Sequence, residues 1–204
     1  VSCRQRKKMT INAVIFDLNG VLLKSEYLSS RLERDYGVKD ADVVAAITDI
    51  MPKIRLPEAP KAWDFWKPYI KNWGLDFTEE SFFAYWFSGE GLNQELFDYA
   101  KELKEQGKKI FILSNNFKER RDYYKKELGE LFDLVDKAYF SRDTGFVKPD
   151  KQAWQLVLDE FSLNPKTCVY VDDSTTNVAS AQSLGIIAAK YQGVGALRKL
   201  ILDN

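Results

Sequence analysis

The sequence predicts an α/β protein with a Rossmann-like, doubly wound parallel sheet and a small helical bundle inserted after the first strand. Two observations predict this fold. Five short apolar runs alternate with segments whose apolar residues recur at helical spacing, a pattern typical of a parallel sheet covered by helices on both faces. A long segment after the first run offers helical patterns without a convincing strand. We therefore expect an α/β core at 10–23 and 93–204, the helical bundle at 24–92, and a leader or disordered N-terminus at 1–9.

The predicted strands are the apolar runs, because buried parallel strands carry apolar side chains on both faces. They cover residues 13–16, 109–113, 135–140, 167–171 and 186–191. Ahead of the second run, Leu96, Ala100 and Leu103 recur at helical spacing, and Gly107 supplies a C-terminal stop. Further helices are predicted over 118–128, 154–161 and 178–184.

The inserted segment carries four helical stripes. They are Leu28, Leu32 and Tyr36; Val43, Val44, Ile47 and Ile50; Trp63, Trp66, Ile70 and Trp73; and Phe82, Phe83, Trp86 and Phe87. Pro52, Pro57 and Pro60 predict a loop after the second stripe. Stripes at helical spacing usually face a core, so we interpret most of the aromatic residues as the interior of the bundle, with one or two facing the site.

Composition limits the possible partners. At 204 residues the chain can form one α/β core with a modest insertion. Basic and acidic residues number 30 each, so no net charge favours a nucleic acid or a membrane surface as partner, and no run approaches a membrane span. Arg31, Arg34 and Arg55 are interpreted as solvated surface residues, with the alternative that they grip a substrate anion.

The residue types present also limit the chemistry. The chain has no histidine, which excludes histidine bases, catalytic triads and imidazole metal ligands. Its two cysteines, Cys3 and Cys168, suit neither a disulfide framework nor a cysteine metal site, and favour a reducing, cytoplasmic setting. Any reaction must therefore use carboxylates, amides, hydroxyls, lysine or arginine.

Such groups follow the predicted strands. Asp17 follows the first strand, Ser114 the second and Asp172 the fourth, while Lys148 lies in a loop before Pro149. Ligands of a doubly wound sheet bind beyond the carboxyl ends of its strands, so these side chains are expected to converge. Carboxylates beside a lysine and a hydroxyl suit metal-assisted phosphoryl transfer, and oxygen ligands without histidine or cysteine favour Mg²⁺.

At these residues the sequence resembles the haloacid dehalogenase (HAD) superfamily of hydrolases. The four segments that carry the resemblance are Phe16-Asp17-Leu18-Asn19-Gly20-Val21, Leu113-Ser114-Asn115-Asn116, Lys148-Pro149-Asp150 and Val171-Asp172-Asp173-Ser174-Thr175-Thr176-Asn177. The position of the insertion resembles a type C1 helical cap. The last segment is similar to the branch that contains sugar-phosphate phosphatases and the N-terminal phosphatase domain of epoxide hydrolases.

The resemblance implies a role for each position. Asp17 is the expected nucleophile, which forms an aspartyl-phosphate, and Ser114 and Lys148 are the expected phosphate binders. Asp172 is the expected direct Mg²⁺ ligand, and Asp173 a second metal or supporting carboxylate. Asn115, as a further phosphate-binding group, and Asn177 are expected to support the site, and the backbone carbonyl of Asn19 to contact the metal.

Asn19 departs from the family pattern, because phosphatases of the family usually carry at this position an aspartate that protonates the leaving group. An amide can donate and accept hydrogen bonds but cannot cycle a proton. Loss of general acid-base help typically slows a reaction about 100- to 10,000-fold. Three interpretations stay open: the substrate has a good leaving group, another acid substitutes, or turnover is largely lost, whether naturally or through an engineered change.

The leading hypothesis is a cytoplasmic Mg²⁺-dependent phosphatase of a small phosphorylated metabolite. An alternative is a HAD-like protein that binds a phosphoryl ligand for regulation without efficient catalysis, which Asn19 motivates. A third hypothesis is dehalogenation of a 2-haloacid, since dehalogenases of the family also lack the second aspartate of the first segment. The paired carboxylates Asp172 and Asp173 argue against it.

Overall fold

A computed structural model describes residues 10–204 of the chain. The expected leader at 1–9, and Cys3 within it, lie outside these residues. In chain order the elements are β1 Ala13–Phe16, β2 Leu23–Ser25, α1 Leu28–Tyr36, α2 Asp40–Ile54, α3 Ala62–Asn72, α4 Glu79–Phe87, β3 Glu90–Leu92, α5 Gln94–Glu105, β4 Lys109–Ser114, α6 Lys118–Glu127, α7 Gly129–Leu134, β5 Lys137–Phe140, α8 Ser141–Thr144, α9 Gln152–Glu160, a 3₁₀ turn Pro165–Thr167, β6 Cys168–Asp172, α10 Thr175–Ser183, β7 Ile187–Lys190 and α11 Val194–Asp203.

A parallel sheet of five strands in the order β5-β4-β1-β6-β7 forms the core. β1 lies at its centre, where Phe16 is in register with Ile112 of β4 and Val171 of β6. All four residues of β1 are fully buried, which explains why its sequence is apolar without alternation. The predicted α/β fold is confirmed, and each of the five predicted strands corresponds to a strand of this sheet.

Helices cover both faces of the sheet. Val14 and Phe16 point to a cluster that contains residues of α5, α7 and α11, whereas Ala13 and Ile15 point to a cluster with α9 and α10. Successive side chains of a strand alternate between faces, so the central strand contributes to both cores. The sequence analysis predicted neither α11 nor the short helices α7 and α8.

The inserted helices α1 to α4 have a core of their own. It is built around aromatic side chains such as Trp66 and Phe82, which are fully buried and pack 5.2 Å apart between ring centroids. Phe117, which precedes α6, is also fully buried and joins this core, with its ring 5.6 Å from that of Trp86 and 6.1 Å from that of Phe87. The inserted helices are therefore packed onto the loop that follows β4.

Three predictions for the inserted segment were wrong. β2 and β3 pair as an antiparallel ribbon at the two ends of the insertion; at three residues each they are too short to show periodicity. Pro52 lies inside α2 rather than in a loop, because a proline in the last turn removes a single helical hydrogen bond and the helix ends two residues later. Arg31 is buried rather than solvated.

The burial of Arg31 follows from its hydrogen bonds. Its Nη1 donates to the carbonyl oxygens of Tyr85 and Trp86 at 2.6 and 3.1 Å, and its Nη2 donates to the hydroxyl of Ser88 at 3.1 Å. Carbonyl groups in the last turn of a helix have no intrahelical partner. Arg31 of α1 thus satisfies the C-terminal end of α4 and ties the first inserted helix to the last.

Within residues 10–204, no helix combines the length and the apolar character needed to cross a bilayer. Cys168 lies in β6 as a buried free thiol, and burial raises its pKa to about 11. A thiol held in this state is a poor nucleophile, so the site chemistry falls to other residues.

Candidate active site

Asp17 lies directly after β1, at the carboxyl edge of the sheet. Its backbone N–H donates to the carbonyl of Val171 at 2.9 Å, which fixes its position beside β6. The side chain is nearly buried, with 8% of the residue exposed. Burial raises the pKa of Asp17 to about 6; the charge of Lys148 opposes this shift, and that of Asp172 adds to it. The carboxylate is therefore shielded from bulk water and lies beside the charged groups of Lys148 and Asp172.

Lys148 is the cation at the centre of the site. Its ammonium group donates to Asp17 Oδ1 at 2.7 Å, to Asp172 Oδ2 at 2.8 Å and to the Tyr170 hydroxyl at 3.1 Å. The side chain amide of Asn115 holds its backbone in place: Nδ2 donates to the Lys148 carbonyl at 2.8 Å, and Oδ1 accepts from the Lys148 N–H at 2.9 Å. The loop before Pro149 is thereby fixed to the end of β4.

Three carboxylates gather at the ends of β1 and β6. Oxygen atoms of Asp17, Asp172 and Asp173 lie within 4.8 Å of one another. Among these groups and Lys148 there are three negative charges and one positive charge, so the cluster keeps an excess of negative charge. Carboxylate oxygens are the ligands that Mg²⁺ prefers. The donor set therefore fits a divalent cation of this kind.

Asp172 is oriented by its neighbours. Its Oδ1 accepts from the Ser174 N–H at 2.8 Å, and its Oδ2 accepts from Asn177 Nδ2 at 3.0 Å and from the Tyr170 hydroxyl. Burial opposes ionisation of Asp172, but the charge and hydrogen bond of Lys148 prevail and lower its pKa. The Asp172 carboxylate therefore stays ionised and keeps its negative charge in the site. Asn177, for which the sequence analysis predicted a supporting role, thus contacts Asp172 directly.

Asp173 and Gly20 meet at the surface of the site. Burial and the charge of Asp172 raise the pKa of Asp173. Gly20 has φ +83°, and a Cβ atom there would lie 2.6 Å from Asp173 Oδ2. The left-handed backbone favours glycine at this position, and a larger residue would also displace the Asp173 side chain.

Asn19 is held in a chain of hydrogen bonds. Its Oδ1 accepts from Asn116 Nδ2 at 2.8 Å, and the same Nδ2 donates to Ser114 Oγ at 2.9 Å. On the other side, Asn19 Nδ2 donates to the Tyr124 hydroxyl at 2.6 Å. The Tyr124 hydroxyl in turn donates to Glu90. An amide is matched to this position, because the single hydrogen of the phenol is already given to Glu90 and the phenol oxygen needs a donor.

The sequence analysis missed Glu90, Arg120 and Tyr124. Glu90 of β3 forms a buried ion pair with Arg120 of α6, with 2% and 12% of the two side chains exposed. Burial is the main cause that raises the pKa of Tyr124 well above its usual value, and Glu90 adds to it. A signal was present: Arg120 and Tyr124 are four residues apart in the helix that follows the Ser114 strand, and therefore share a face near the site.

A cleft of about 530 Å³ lies between these residues and the inserted helices. Its floor contains Asn19, Gly20 and Asp173, and α1, α2, Trp86 and Glu90 supply much of the rest. Asp17, Ser114 and Lys148 do not line it because they are buried, with 8%, 3% and 4% of each residue exposed. The structure thus brings together Asp17, Asn19, Ser114, Asn115, Lys148, Asp172 and Asp173, the residues that the sequence predicted for the site.

Fold and site together define a class: doubly wound α/β proteins with an aspartate-based site at the carboxyl edge of the sheet. Within that class, the sequence model of the haloacid dehalogenase-like hydrolases matches residues 11–185. The chain belongs to this family. The resemblance predicted from its four sequence motifs is confirmed.

Relatives of known name are similar in sequence to part or most of this chain. A phosphatase of Mycobacterium tuberculosis is 25% identical over 215 residues, which cover 93% of this chain and 91% of the relative. Bifunctional epoxide hydrolase 2 of Rattus norvegicus is 26% identical over 129 residues, which cover 61% of this chain but only 23% of the relative. A HAD-family enzyme of Bacteroides thetaiotaomicron, solved as a magnesium complex, superposes with a TM-score of 0.73 at 18% identity, over 94% of this chain and all of the other. This likeness supports the fold.

Proposed function

We propose that the chain is a Mg²⁺-dependent phosphatase of a small phosphorylated metabolite and that it works through an aspartyl-phosphate on Asp17. The observation that carries this proposal is the gathering of three carboxylates within 4.8 Å, two of which, Asp17 and Asp172, are bridged by the buried ammonium group of Lys148. The names of the mycobacterial phosphatase and of the magnesium complex from Bacteroides support it.

In this mechanism Mg²⁺ would be held by Asp17, Asp172, Asp173 and the backbone carbonyl of Asn19. When bound, it neutralises phosphate charge and polarises the phosphoryl group. The Asp17 carboxylate forms a bond to phosphorus while the bond from phosphorus to the leaving oxygen breaks. Water then attacks the aspartyl-phosphate, which releases inorganic phosphate and regenerates the carboxylate.

Lys148 and Ser114 bind the phosphate oxygens. The Lys148 ammonium group offers its three hydrogen atoms to Asp17, Asp172 and the Tyr170 hydroxyl, so a bound phosphate oxygen takes the place of one of these acceptors. Its positive charge then stabilises negative charge that develops on the phosphoryl group. Ser114 Oγ accepts from Asn116 in this structure, which leaves its own hydrogen free to be donated to a phosphate oxygen. Asn115 contributes by holding the Lys148 backbone, and its own contact with phosphate stays a prediction.

Asn19 sets the kind of leaving group that the enzyme handles well. Its amide positions groups by hydrogen bonding but takes up and releases no proton. Acyl phosphates and anomeric sugar phosphates need little protonation of the leaving oxygen, and are therefore the favoured substrates. Simple alkyl esters react about 100- to 10,000-fold more slowly than with an aspartate here.

The inserted helices act as the cap of the enzyme, with the core at 10–23 and 93–204 and the cap at 24–92. Closure of a cap over the cleft excludes water until the aspartyl-phosphate has formed. The buried free thiol of Cys168 suits a reducing, cytoplasmic setting.

The test is Mg²⁺-dependent phosphate release from acetyl phosphate and a hexose 1-phosphate, with Asp17→Asn as the matched variant. Asp17→Asn keeps the size of the side chain and is expected to abolish turnover and weaken Mg²⁺ binding in calorimetry. Acid-quenched enzyme incubated with labelled acetyl phosphate is expected to carry phosphate on Asp17. Release by the variant at the parent rate would refute the proposal.

The hydrogen-bonded state of Asn19 favours a second candidate, a regulatory protein that binds a phosphoryl ligand without turnover. Both polar atoms of the Asn19 amide form hydrogen bonds, with Tyr124 and with Asn116. Such bonds are what a residue with a structural role makes. This candidate requires that phosphate and Mg²⁺ together raise the melting temperature while no phosphate ester or acyl phosphate is hydrolysed above the buffer rate. Turnover of acetyl phosphate that depends on Asp17 would exclude it.

A further inference from the structure

Helix α2 is apolar on two faces. One face, with Val43, Ala46 and Ile50, is fully buried in the core of the inserted helices. A neighbouring face, with Val44, Ile47 and Met51, lines the cleft. Met51 also belongs to the buried core and Ile47 packs partly against it, whereas Val44 is exposed. An ordinary surface helix is polar outside its buried stripe, so an apolar face that extends from the core to the exposed Val44 needs a further explanation.

The apolar surface continues around the cleft. Leu28 of α1 and Trp86 of α4 also line it, although both are largely buried, and Tyr27 lines it with 73% of the residue exposed. Val44 is 46% exposed. Solvent contact of large apolar side chains is unfavourable, and an exposed apolar patch beside a polar site commonly marks a ligand surface.

The charges of the cleft are unfavourable for a second anion. Among the described residues that line it, Arg120 is the only cation, and Glu90 neutralises it in a buried ion pair. Asp40 and Asp173 add carboxylates to the lining, whereas the carboxylate of Glu26, which also lines it, is paired with Arg34. A substrate with a second phosphate or a carboxylate would find no unpaired lysine or arginine there and would be repelled.

We propose that the cleft selects phosphate compounds whose remaining part is uncharged and carries an apolar group, which packs against the second face of α2. The inference rests on the proposed phosphatase function, because Asn19, Gly20 and Asp173 connect the cleft to the site. The cleft volume of about 530 Å³ lies within the range of roughly 300–1,000 Å³ that is typical of pockets for small-molecule ligands. Bisphosphates, nucleotides and phosphorylated carboxylic acids are excluded as good substrates.

The test is calorimetric titration of the full chain, in the presence of Mg²⁺, with n-alkyl phosphonates from methyl to octyl, which cannot be hydrolysed at the carbon–phosphorus bond. The expected dissociation constant falls by up to about fourfold for each methylene that becomes buried, and the heat-capacity change of binding becomes more negative with chain length. An ω-carboxyalkyl phosphonate is expected to bind more weakly than the alkyl phosphonate of equal length. Affinity that does not depend on chain length, or a carboxylate that strengthens binding, would overturn the proposal.

Single substitutions test whether the dependence of phosphonate affinity on chain length comes from the cleft-lining face of α2. Val44→Gln and Ile47→Gln replace cleft-lining side chains with a polar residue of good helix propensity, and each is expected to flatten the dependence on chain length while methyl phosphonate binds as before. Leu202→Gln is the matched control, because Leu202 is 66% exposed on α11 and outside the cleft; it is expected to change nothing. Equal effects of the control and the cleft variants would contradict the assignment.

Hydrolysis of acetyl phosphate separates this proposal from the proposed function, because its small acetyl group makes little contact with α2. Phosphonate affinity that grows with chain length, without turnover of acetyl phosphate, would refute catalysis and support the selectivity of the cleft. Turnover of acetyl phosphate together with a flat phosphonate series would support catalysis and overturn the selectivity.

Discussion

The substitution Asn19→Asp tests whether a proton carrier is the missing part of this site. It changes one amide nitrogen to oxygen and preserves the size of the side chain. The new oxygen faces the Tyr124 hydroxyl, to which Asn19 Nδ2 now donates at 2.6 Å, and that hydroxyl already donates its hydrogen to Glu90. The protonated form of the introduced carboxyl can donate to Tyr124 as the amide does, whereas the ionised form leaves two acceptors facing each other.

The network therefore favours the protonated form, which is the form that a general acid needs. General acid-base catalysis contributes about 100- to 10,000-fold, or roughly 3 to 5 kcal/mol of the activation barrier. The gain applies where the leaving oxygen needs a proton, so it should be large for a hexose 6-phosphate. For acetyl phosphate, whose leaving group is a weak base, we expect a gain of less than about tenfold.

The assay is kcat/KM for both substrates, with Mg²⁺, for the parent and for Asn19→Asp. Asn115→Asp is the control, since it adds a carboxyl at the same edge of the sheet but against the Lys148 backbone. The control is expected to show no gain with either substrate. Equal gains of Asn19→Asp for both substrates, or no gain with a hexose 6-phosphate in a variant with an unchanged melting temperature, would refute the reasoning.

Three further substitutions test the site and its support. Lys148→Met leaves the buried carboxylates of Asp17 and Asp172 without their cation and is expected to lower the free energy of unfolding by about 3 to 5 kcal/mol. Addition of Mg²⁺ is expected to restore part of this stability. A melting temperature equal to that of the parent would contradict this expectation. Arg31→Met removes the donors at the end of α4 and is expected to destabilise the protein by about 1 to 3 kcal/mol in urea unfolding, and an unchanged midpoint would show that the carbonyls find other partners. Ser114→Ala removes the hydroxyl that we propose as a donor to phosphate, and is expected to raise KM for acetyl phosphate about tenfold or more with little change in kcat. A loss confined to kcat would assign Ser114 to the transition state instead.

The strands and the convergence of the candidate site residues could be predicted because their signals are local. β1 is buried on both sides, so its four residues are all apolar, and Asp17 stands out as the first charged residue after it. In β6, likewise, Asp172 is the charged residue that ends an otherwise uncharged buried strand. Parallel strands then bring such residues to one edge, whatever the sequence between them.

The features that were missed depend on partners distant in the chain. Arg31 looks like a surface residue within its own helix, and its burial requires the carbonyl groups of α4, 54 and 55 residues away. The pair of Glu90 and Arg120 forms because a three-residue strand passes beside the start of α6. The spacing of Arg120 and Tyr124 indicates a shared helix face, but no periodic or compositional signal identifies Glu90 as the partner of Arg120, or the carbonyl groups of α4 as the partners of Arg31.

The packing of Phe117 has a consequence for how movement is transmitted. Its ring is anchored among the rings of the inserted helices, while its backbone lies three residues after Ser114. Interiors packed at crystal-like density transmit small displacements rather than absorb them. A rotation of the inserted helices would therefore displace the loop of Ser114 and Asn116 directly, because only a few residues separate that loop from the ring that is anchored among the helices.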